Sequence, residues 1–315
     1  MKLAIVMDAV ESINIKKDST YAMMLEAHRR AWQIYYLGQG DLILHDGRAL
    51  GHSRRIVPHH DRTPWYELDL EQTRPLDEFD AILMRKDPPF NLEYIYSTYL
   101  LELAESRGTL VVNKAQSLRD ANEKIFTAWF PQCTPPSLVT RNAADLRAFL
   151  KEHDDIVLKP LDQMGGASVF RLRRGDPNIS VAIETVTANG SRMTMAQRYI
   201  PEIRDGDKRI LMIDGKPVPY ALARIPAEGE SRGNLAAGAR PEGRLLSERD
   251  LWICEQVGPV LSKKGILFAG LDVIGDYLTE INVTSPTCIR ELDAIYGLNI
   301  GALLLDAVAS RARCS

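Results

Sequence analysis

The chain has 315 residues, of which 45% are hydrophobic and 26% are charged, and its formal net charge at pH 7 is −3. This length is sufficient for two or three domains with a large buried core. The near-neutral charge excludes a general basic surface for nucleic acid, and the lack of any run of roughly twenty apolar residues excludes a membrane span.

The N-terminal run MKLAIVMDAV is interrupted by Asp8 and precedes no small-residue cleavage site, so it predicts a buried first strand and not a signal peptide. The cysteines are far apart and form no CxxC pair: Cys133, Cys254, Cys288 and Cys314. We therefore expect a cytoplasmic protein with reduced thiols.

The first third of the chain alternates predicted strands and helices. Apolar runs predict strands at 2–7, 33–37, 80–86 and 109–114. A helix that Asp18 or Ser19 can cap follows the first strand, a hairpin turns at Asp46-Gly47, and a second helix covers 93–106. This alternation favours a parallel sheet with right-handed crossovers, so residues 1–121 are predicted to form an α/β domain. The dinucleotide-binding GxGxxG motif is absent after its first strand.

The middle of the chain has a different pattern. The stretch LRDANEKIFTAWF (118–130) suits a helix, and strand, helix and strand patterns follow. A glycine-bearing loop, DQMGGAS (162–168), precedes another strand and a helix. The strand MTMAQRYI (193–200) ends at a proline, which suits a hinge between domains. We predict a central domain over 122–200.

The last third begins with a hairpin over 208–225 that turns at Asp214-Gly215. The segment 226–241 carries several glycines and few large apolar residues. It is long for a connection within a compact domain, so it predicts a mobile loop that acts as a lid. A helix over 247–264, the hairpin LDVIGDYLTEINVTSPT and one or two helices complete a C-terminal domain over 201–315.

Several basic and glycine residues suit the binding of phosphate. Gly165 and Gly166 let the backbone approach a ligand closely, although the loop is not a P-loop. Lys159 lies inside an apolar strand, where a charge needs a partner such as phosphate. Lys124 is either a second phosphate donor or part of a solvated helix face. Arginines bind anions in bidentate fashion, and three of them surround the expected cleft: Arg209, Arg224 and Arg232.

Three oxygen-bearing side chains interrupt the C-terminal hairpin. Glu280 and Asn282 are two residues apart in one strand, so they share a face, and their oxygens are ligands that Mg²⁺ prefers. Asp272 joins them only if the register permits. A two-residue turn alone would place Asp272 opposite Thr279, whereas a longer connection or a bulge would place it opposite Glu280. The alternative to a metal site is that Glu280 and Asn282 form a water-facing polar stripe on an edge strand.

These segments together resemble the ATP-grasp ligases, and more narrowly the bacterial-type glutathione synthetases. The resemblance extends over NIKKDST, LMRKDPPF, VNKAQSLRDANEK, LKPLDQMGGAS, DGDKR, ARIPAEGESRGNLAAGAR and LTEINVTSPTCIRE. It implies an α/β N-terminal domain followed by two α+β parts that clamp ATP. It also implies Mg²⁺, with Mn²⁺ as an alternative ion, and a homotetramer.

The resemblance further implies that ATP, γ-glutamylcysteine and glycine react to give glutathione through an acyl phosphate. It places the following residues at the nucleotide: Lys124, Lys159, Gly165, Gly166, Gln197, Tyr199, Ile200 and Asp207. Arg209 would stabilise the transferred phosphoryl group, and Arg224 and Arg232 would hold substrate carboxylates. The remaining substrate contacts would come from Asn14, Ile15, Arg85, Ser285 and Thr287.

Two positions depart from the family pattern, because Gln163 and Ala239 stand where glycine is usual. If position 163 needs a positive φ, glutamine there would cost stability. Two other functions stay open. One is a related ATP-grasp ligase, such as a D-alanine–D-alanine-type or glutamate-tail ligase. The other is a protein that binds ATP without turnover.

Overall fold

A computed structural model of the chain describes residues 1–60, 62–163, 168–227, 233 and 238–312. Within these residues the strands form three sheets, of eight, four and five strands. No α-helix in the same ranges is both long and apolar enough to cross a bilayer.

The first sheet is parallel in its centre and antiparallel at one side. Its strands are β1 (Lys2–Val6), β2 (Gln33–Leu37), β3 (Leu42–His45), β4 (Arg48–Pro58), β5 (Tyr66–Leu68), β6 (Gln72–Pro75), β7 (Ala81–Met84) and β8 (Leu110–Val112). Strands β2, β1, β7 and β8 are parallel neighbours, as the sequence predicts, whereas β4 pairs antiparallel with β2, β3, β5 and β6. The short polar strands β5 and β6 carry little apolar pattern, so the sequence did not predict them.

Helices α1 (Ser19–Arg29) and α2 (Leu92–Glu105) lie where the sequence predicts them, and α3 (Ala115–Asp120) follows β8. The carboxylate of Asp18 accepts the N–H of Tyr21 at 2.6 Å, so Asp18 is the N-cap of α1. The β3–β4 hairpin turns at Asp46 and Gly47, both with positive φ, as a tight primed turn requires.

The prediction of a single helix over 118–130 is wrong, because the helical conformation is interrupted at Asn122. Helix α3 ends at Asp120, and a short 3-10 helix covers Ile125–Trp129. The Asn122 side-chain oxygen accepts the N–H groups of Lys124 and Ile125 at 3.1 and 3.0 Å. Asparagine side chains compete in this way with helical hydrogen bonds, so the helix ends before residue 122.

The second sheet is antiparallel and has a core of its own. It contains β9 (Ser137–Thr140), β10 (Asp155–Pro160), β11 (Phe170–Arg173) and β12 (Thr194–Arg198), in the order β11-β10-β12-β9. Helices α4 (Ala143–His153) and α5 (Ile179–Thr187) cover one face. Leu146, Phe149, Ile156 and Leu158 form part of a buried cluster that is separate from the two larger ones.

The third sheet carries the hairpin with the three polar oxygens. Its strands are β13 (Asp207–Ile213), β14 (Lys216–Ile225), β15 (Arg240–Leu245), β16 (Phe268–Ile274) and β17 (Tyr277–Asn282), and its helices are α6 (Glu248–Lys263), α7 (Ile289–Tyr296) and α8 (Ile300–Ala312). The edge strand β15 begins inside the predicted loop 226–241, so residues 240 and 241 are a correction to that prediction. Its sequence contains Pro241 and Gly243, which obscure a strand pattern and are tolerated at an edge.

Asn113 joins the first sheet to the third. Its side-chain amide donates to the carbonyls of Phe268 and Val283, both at 2.6 Å, and its oxygen accepts the N–H of Phe268 at 2.9 Å. Residue 283 directly follows β17. The end of β8 is therefore fixed against both strands of the polar hairpin.

Glu26 connects α1 to the start of α8, and its charge gives a testable dependence of stability on pH. A hydrogen bond from Arg29 lowers the pKa of Glu26, and further bonds from Arg30 and Asn299 add to this effect. Burial opposes them, and the resulting pKa is about 2. A lowered pKa stabilises the fold above the unfolded value of 4.5, and this contribution is lost as the pH falls through the folded value.

We expect Glu26→Gln to reduce the free energy of unfolding by about 2 kcal/mol at pH 7, a discounted value because Arg29 is largely exposed and solvent screens its attraction to Glu26. The difference from wild type should shrink steadily between pH 4.5 and pH 2. Urea denaturation at a series of pH values measures it. A difference that is constant with pH would show that the charge of Glu26 does not contribute.

Candidate active site

A cavity of about 650 Å³ lies where the three sheets meet. Its walls contain residues of the second and third sheets, of the segments that follow β1 and β7 of the first sheet, and of the loop after β17. Most of the predicted site residues line it: Asn14, Lys124, Lys159, Gln197, Tyr199, Ile200, Asp207, Arg209, Arg224, Asp272, Glu280, Asn282, Ser285 and Thr287. Side chains that are up to 273 residues apart in the sequence therefore face one volume.

The β16–β17 hairpin meets the register condition for a shared metal site. The turn has two residues, Gly275 and Asp276, but the strands pair Val273 with Leu278 and Asp272 with Glu280. Thr279 is the extra residue of a bulge, and its hydroxyl donates to the carbonyl of Asp272 at 3.1 Å. The two-residue turn alone would place Asp272 opposite Thr279, but the bulge shifts the register by one residue. Asp272 and Glu280 therefore lie on the same face of the sheet as Asn282.

Two lysine ammonium groups flank Glu280. Lys124 Nζ and Lys159 Nζ each lie 4.0 Å from Glu280 Oε1. Lys124 is buried, its ammonium also contacts the Glu123 carboxylate, and it donates to the Gln163 carbonyl at 2.8 Å. Burial alone would lower the pKa of Lys124, but Glu280 and Glu123 raise it above its usual value. Lys124 is therefore a charged group of the cavity wall and not part of a solvated helix face.

A buried network of two arginines and two aspartates forms the next part of the wall. Arg209 holds Asp272 through two hydrogen bonds of 2.5 and 3.0 Å. Arg224 Nη2 reaches both Asp207, at 2.5 Å, and Asp272, at 2.9 Å. Burial would raise the pKa of Asp272, but the two guanidinium groups hold it below its usual range.

Asp207 behaves differently from Asp272 although both contact Arg224. Burial raises the pKa of Asp207 to about 7; Arg224 opposes this rise, whereas the charge of Asp272 adds to it. One of its oxygens, Oδ1, has no hydrogen-bond partner among the described residues. This buried oxygen belongs to a residue of the cavity lining and retains its capacity to accept a hydrogen bond.

The hairpin oxygens fit a hard divalent cation that retains other ligands. The Asn282 amide group donates to the Gly270 carbonyl at 3.3 Å, which leaves its oxygen free. Asp272 Oδ2 accepts two hydrogen bonds and Oδ1 accepts one, so Oδ1 keeps one lone pair for a single metal bond. Among the described residues no three His, Cys, Asp or Glu side chains already surround one metal position. An ion such as Mg²⁺, which is completed by water and phosphate oxygens, suits this set.

Tyr199 and its neighbours form the opposite end of the cavity. The Tyr199 N–H donates to the Asp155 carbonyl at 2.9 Å, and the Arg171 guanidinium covers the Tyr199 ring at 3.4 Å from its centre. Asp155 in turn holds Arg171 through bonds of 2.9 and 2.6 Å. Tyr199 is followed by Ile200, which also lines the cavity next to the predicted hinge, and an aromatic ring beside an aliphatic side chain suits an aromatic base.

The structure does not bring two of the predicted substrate residues to the cavity wall. Ile15 packs against the hydrophobic core next to α1. Arg85 is buried at the end of β7, where it donates to the Thr20 hydroxyl at 3.1 Å and to the Pro286 carbonyl at 3.0 Å. These bonds make Arg85 a link between the first sheet and the loop after β17, because protein groups occupy two of its donors.

Comparisons with known proteins agree with this geometry. The family description "Prokaryotic glutathione synthetase, N-terminal domain" matches residues 1–119, and "Prokaryotic glutathione synthetase, ATP-grasp domain" matches residues 123–297. The chain belongs to the prokaryotic glutathione synthetase family. The resemblance to this family and the ATP-grasp fold predicted from the sequence are thereby confirmed.

Similar proteins cover almost the whole chain. The glutathione synthetase of Pseudomonas syringae pv. tomato is 60% identical over 311 residues, which are 99% of this chain and 98% of that protein. The glutathione synthetase of Vibrio cholerae is 59% identical over 315 residues, which are 100% and 99% of the two chains. The solved structure of D-cycloserine synthetase DcsG has a TM-score of 0.70 at 17% identity and covers 99% of this chain and 100% of its own. That last likeness concerns the fold alone.

Several predicted residues of the glutathione synthetase pattern lie outside the described residues. They are Gly165, Gly166, Arg232 and most of the predicted lid. Gln163, which replaces a glycine of the pattern, is described, and it is not among the described non-glycine residues with positive φ. Its main-chain carbonyl binds Lys124, so the contact does not depend on its side chain.

Sequence reasoning missed Glu123, which directly precedes Lys124 and lines the cavity. Burial, together with the charge of Glu280, raises the pKa of Glu123 to about 6. Its position beside Lys124 was the one available signal, and a glutamate next to a lysine is too common to be informative. Cys288 also lines the cavity, but burial raises the pKa of its thiol, which favours the ordinary, unreactive interpretation.

Proposed function

We propose that this chain joins γ-glutamylcysteine to glycine, with cleavage of ATP to ADP and phosphate, and so makes glutathione. The observation that carries the proposal is one cavity wall on which Lys124, Lys159 and Arg209 surround Glu280, Asn282 and Asp272. Positive charge beside hard oxygen ligands suits the phosphates of a nucleotide and a divalent cation. The glutathione synthetases at about 60% identity support the choice of substrates.

The reaction has two steps in this proposal. The γ-phosphoryl group passes from ATP to the cysteinyl carboxylate of the dipeptide, which gives ADP and an acyl phosphate. The glycine amine then attacks the acyl carbon, a C–N bond forms, the C–O bond to phosphate breaks and the amine loses a proton. The lysines and Arg209 neutralise charge that moves to the transferred oxygens. Ser285 and Thr287, at the cavity wall, orient glycine or the acyl group.

Glu280, Asn282 and Asp272 would hold Mg²⁺, with Mn²⁺ as the alternative ion. When bound, the ion would neutralise charge on the phosphates and help to orient them. Asp272 contributes through its remaining lone pair, because Arg209 and Arg224 keep its other positions occupied.

The nucleotide base would bind at the Tyr199 end of the cavity. Gln197, Tyr199 and Ile200 line this end, and Asp207 Oδ1 would accept a ribose hydroxyl. The carboxylates of the dipeptide would use the donors of Arg209 and Arg224 that the aspartates leave free. Asn14 extends the dipeptide site from the first sheet.

Four further features stay proposals. The predicted lid, without residues 240 and 241 and mostly outside the described residues, would close over the acyl phosphate, which hydrolyses if water reaches it. The chain divides into domains at 121/122 and 200/201. It assembles as a homotetramer, and it acts in the cytoplasm.

A phosphate-release assay tests the function and separates it from its alternatives. With γ-glutamylcysteine as the donor, we expect release that depends on ATP, a divalent cation and glycine, and that is at least tenfold slower with D-alanine or glutamate in place of glycine. Mass spectrometry identifies the product. Faster release with another acceptor would favour a related ligase, and no release together with nucleotide binding would favour the protein without turnover.

A further inference from the structure

The carboxylate of Glu123 lies at the positive wall of the cavity and has no role in the proposed chemistry. Its Oε1 contacts Lys124 Nζ, and its side chain is 20% exposed. Its carbonyl accepts the N–H of Ile281 at 2.8 Å, so the backbone of Glu123 is fixed against β17. Glu123 is therefore held next to the strand that carries Glu280 and Asn282.

The contacts of Lys124 show what Glu123 does to this ammonium group. Lys124 Nζ contacts the Glu123 carboxylate and donates to the Gln163 carbonyl at 2.8 Å, but it is 4.0 Å from Glu280 Oε1. The last separation is too long for a direct hydrogen bond. A lysine ammonium has three donors on a flexible stem, so a movement of about 1 Å would bring it onto Glu280.

Direct contact between Lys124 and Glu280 would oppose metal binding. A carboxylate that is bound to an ammonium group shares its charge and one lone pair with that group, and a cation must then displace it. Glu123 offers Lys124 a competing carboxylate in direct contact, whereas Glu280 Oε1 lies 4.0 Å from the same ammonium group. The backbone of Glu123 is fixed by its bond to Ile281, so a movement of the ammonium onto Glu280 would weaken its contact with the Glu123 carboxylate.

We propose that Glu123 is a positioning residue that holds the Lys124 ammonium away from Glu280 and so keeps Glu280 open for the divalent cation of the nucleotide. This inference rests on the proposed function, since it assumes a nucleotide with its cation in the cavity. In this inference Glu123 forms no bond to the cation, and it affects cation binding only by positioning Lys124.

Titration calorimetry of ADP binding over a series of Mg²⁺ concentrations tests the proposal without donor or acceptor. Mg²⁺ increases the affinity for ADP, and the Mg²⁺ concentration that gives half of this increase is the measured quantity. In Glu123→Gln, we expect it to rise about tenfold, as is usual when a residue that supports a metal ligand is removed. Affinity for ADP without Mg²⁺ should be unchanged or higher, because Lys124 loses its competing carboxylate.

A double-mutant cycle with Lys124→Met identifies the route of the effect. In the Lys124→Met background, Glu123→Gln should change the Mg²⁺ dependence less than twofold, since there is no ammonium to hold. An equal change in both backgrounds would mean that Glu123 contacts the cation directly and would overturn the proposal. No change in the wild-type background would also overturn it.

Two further variants control for folding. Glu105→Gln removes a half-buried carboxylate that accepts the Ala115 N–H at 3.1 Å and lies outside the cavity lining, so it should leave the Mg²⁺ dependence unchanged. Glu123→Asp keeps the charge and should retain most of the Mg²⁺ affinity; a loss equal to that of Glu123→Gln contradicts the proposal. Thermal unfolding shows that each variant is folded.

The test also separates this inference from the proposed function. If wild type binds ADP in a Mg²⁺-dependent way but shows no glycine-dependent phosphate release, the proposed ligase function fails and the role of Glu123 is still decided by the cycle. If wild type shows no Mg²⁺-dependent binding of ADP, both fail.

Discussion

Replacing Glu280 by glutamine is expected to lower kcat for glycine-dependent phosphate release about a thousandfold, which corresponds to about 4 kcal/mol of transition-state stabilisation. The variant keeps the size of the side chain and removes its charge. In wild type the Glu280 carboxylate faces two ammonium groups at 4.0 Å and makes no shorter ion pair with any described residue, so its charge is available to a cation. Steady-state kinetics over a range of Mg²⁺ concentrations measures the change.

Glu242→Gln is a suitable control for this loss. Glu242 lies on the edge strand β15, pairs with Arg240 and Arg244 on the surface and does not line the cavity. Its replacement should leave kcat within a factor of two, because exposed ion pairs contribute little. A Glu280→Gln enzyme that retains more than a tenth of the wild-type kcat would contradict the role of Glu280 as a metal ligand.

Strand periodicity predicts the face shared by Glu280 and Asn282 but not the position of Asp272. The turn at Gly275-Asp276 has the two residues that its sequence suggests, and this alone would place Asp272 on the wrong face. The bulge at Thr279 restores the register. A bulge depends on side-chain and main-chain contacts across the hairpin, such as the bond from the Thr279 hydroxyl to the Asp272 carbonyl, and no local pattern identifies it.

The fold could be predicted where apolar periodicity is strong, and it was missed where polar contacts decide the conformation. Strands such as β1 and β7 and the capped helix α1 follow from local pattern and from Asp18. The break at Asn122 follows from a side-chain bond to the next turn and from a second bond to Leu161, which is remote in sequence. The sequence predicted Lys124 as a site residue but in a helix, because it did not reveal this break.

The contacts of Arg209 and Arg224 at the site could not be predicted from local sequence pattern either. Sequence alone predicts that Arg209 and Arg224 bind substrate anions. In the structure both guanidinium groups bind Asp272, a predicted metal ligand, and Arg224 also binds Asp207. Pairing of residues on β13, β14 and β16 creates this network, and it depends on the register of three strands. The arginines therefore set the charge and orientation of Asp272 in addition to any contact with substrate.

Replacing Arg224 by methionine is expected to reduce the free energy of unfolding by about 3 kcal/mol at pH 8, because it leaves the buried Asp272 and the partly buried Asp207 with Arg209 alone. Both side chains of the Arg224–Asp272 pair are 5% exposed, so water does not compensate for the lost charge. Arg171→Met is the matched control. Arg171 also holds an aspartate in two bonds, but it is 25% exposed, and its loss should cost about 1 kcal/mol or less.

The pH dependence distinguishes the loss of charge from the loss of packing. Burial, with the added charge of Asp272, already raises the pKa of Asp207 to about 7 against the opposing effect of Arg224, and the variant removes that opposition. A carboxyl with a raised pKa is tolerated while it is protonated and destabilises the fold as the pH rises through that pKa. The deficit of Arg224→Met in urea denaturation should therefore be clearly smaller at pH 5.5 than at pH 8. An equal deficit at both values would mean that Arg224 stabilises the fold through its hydrocarbon stem and not through its charge.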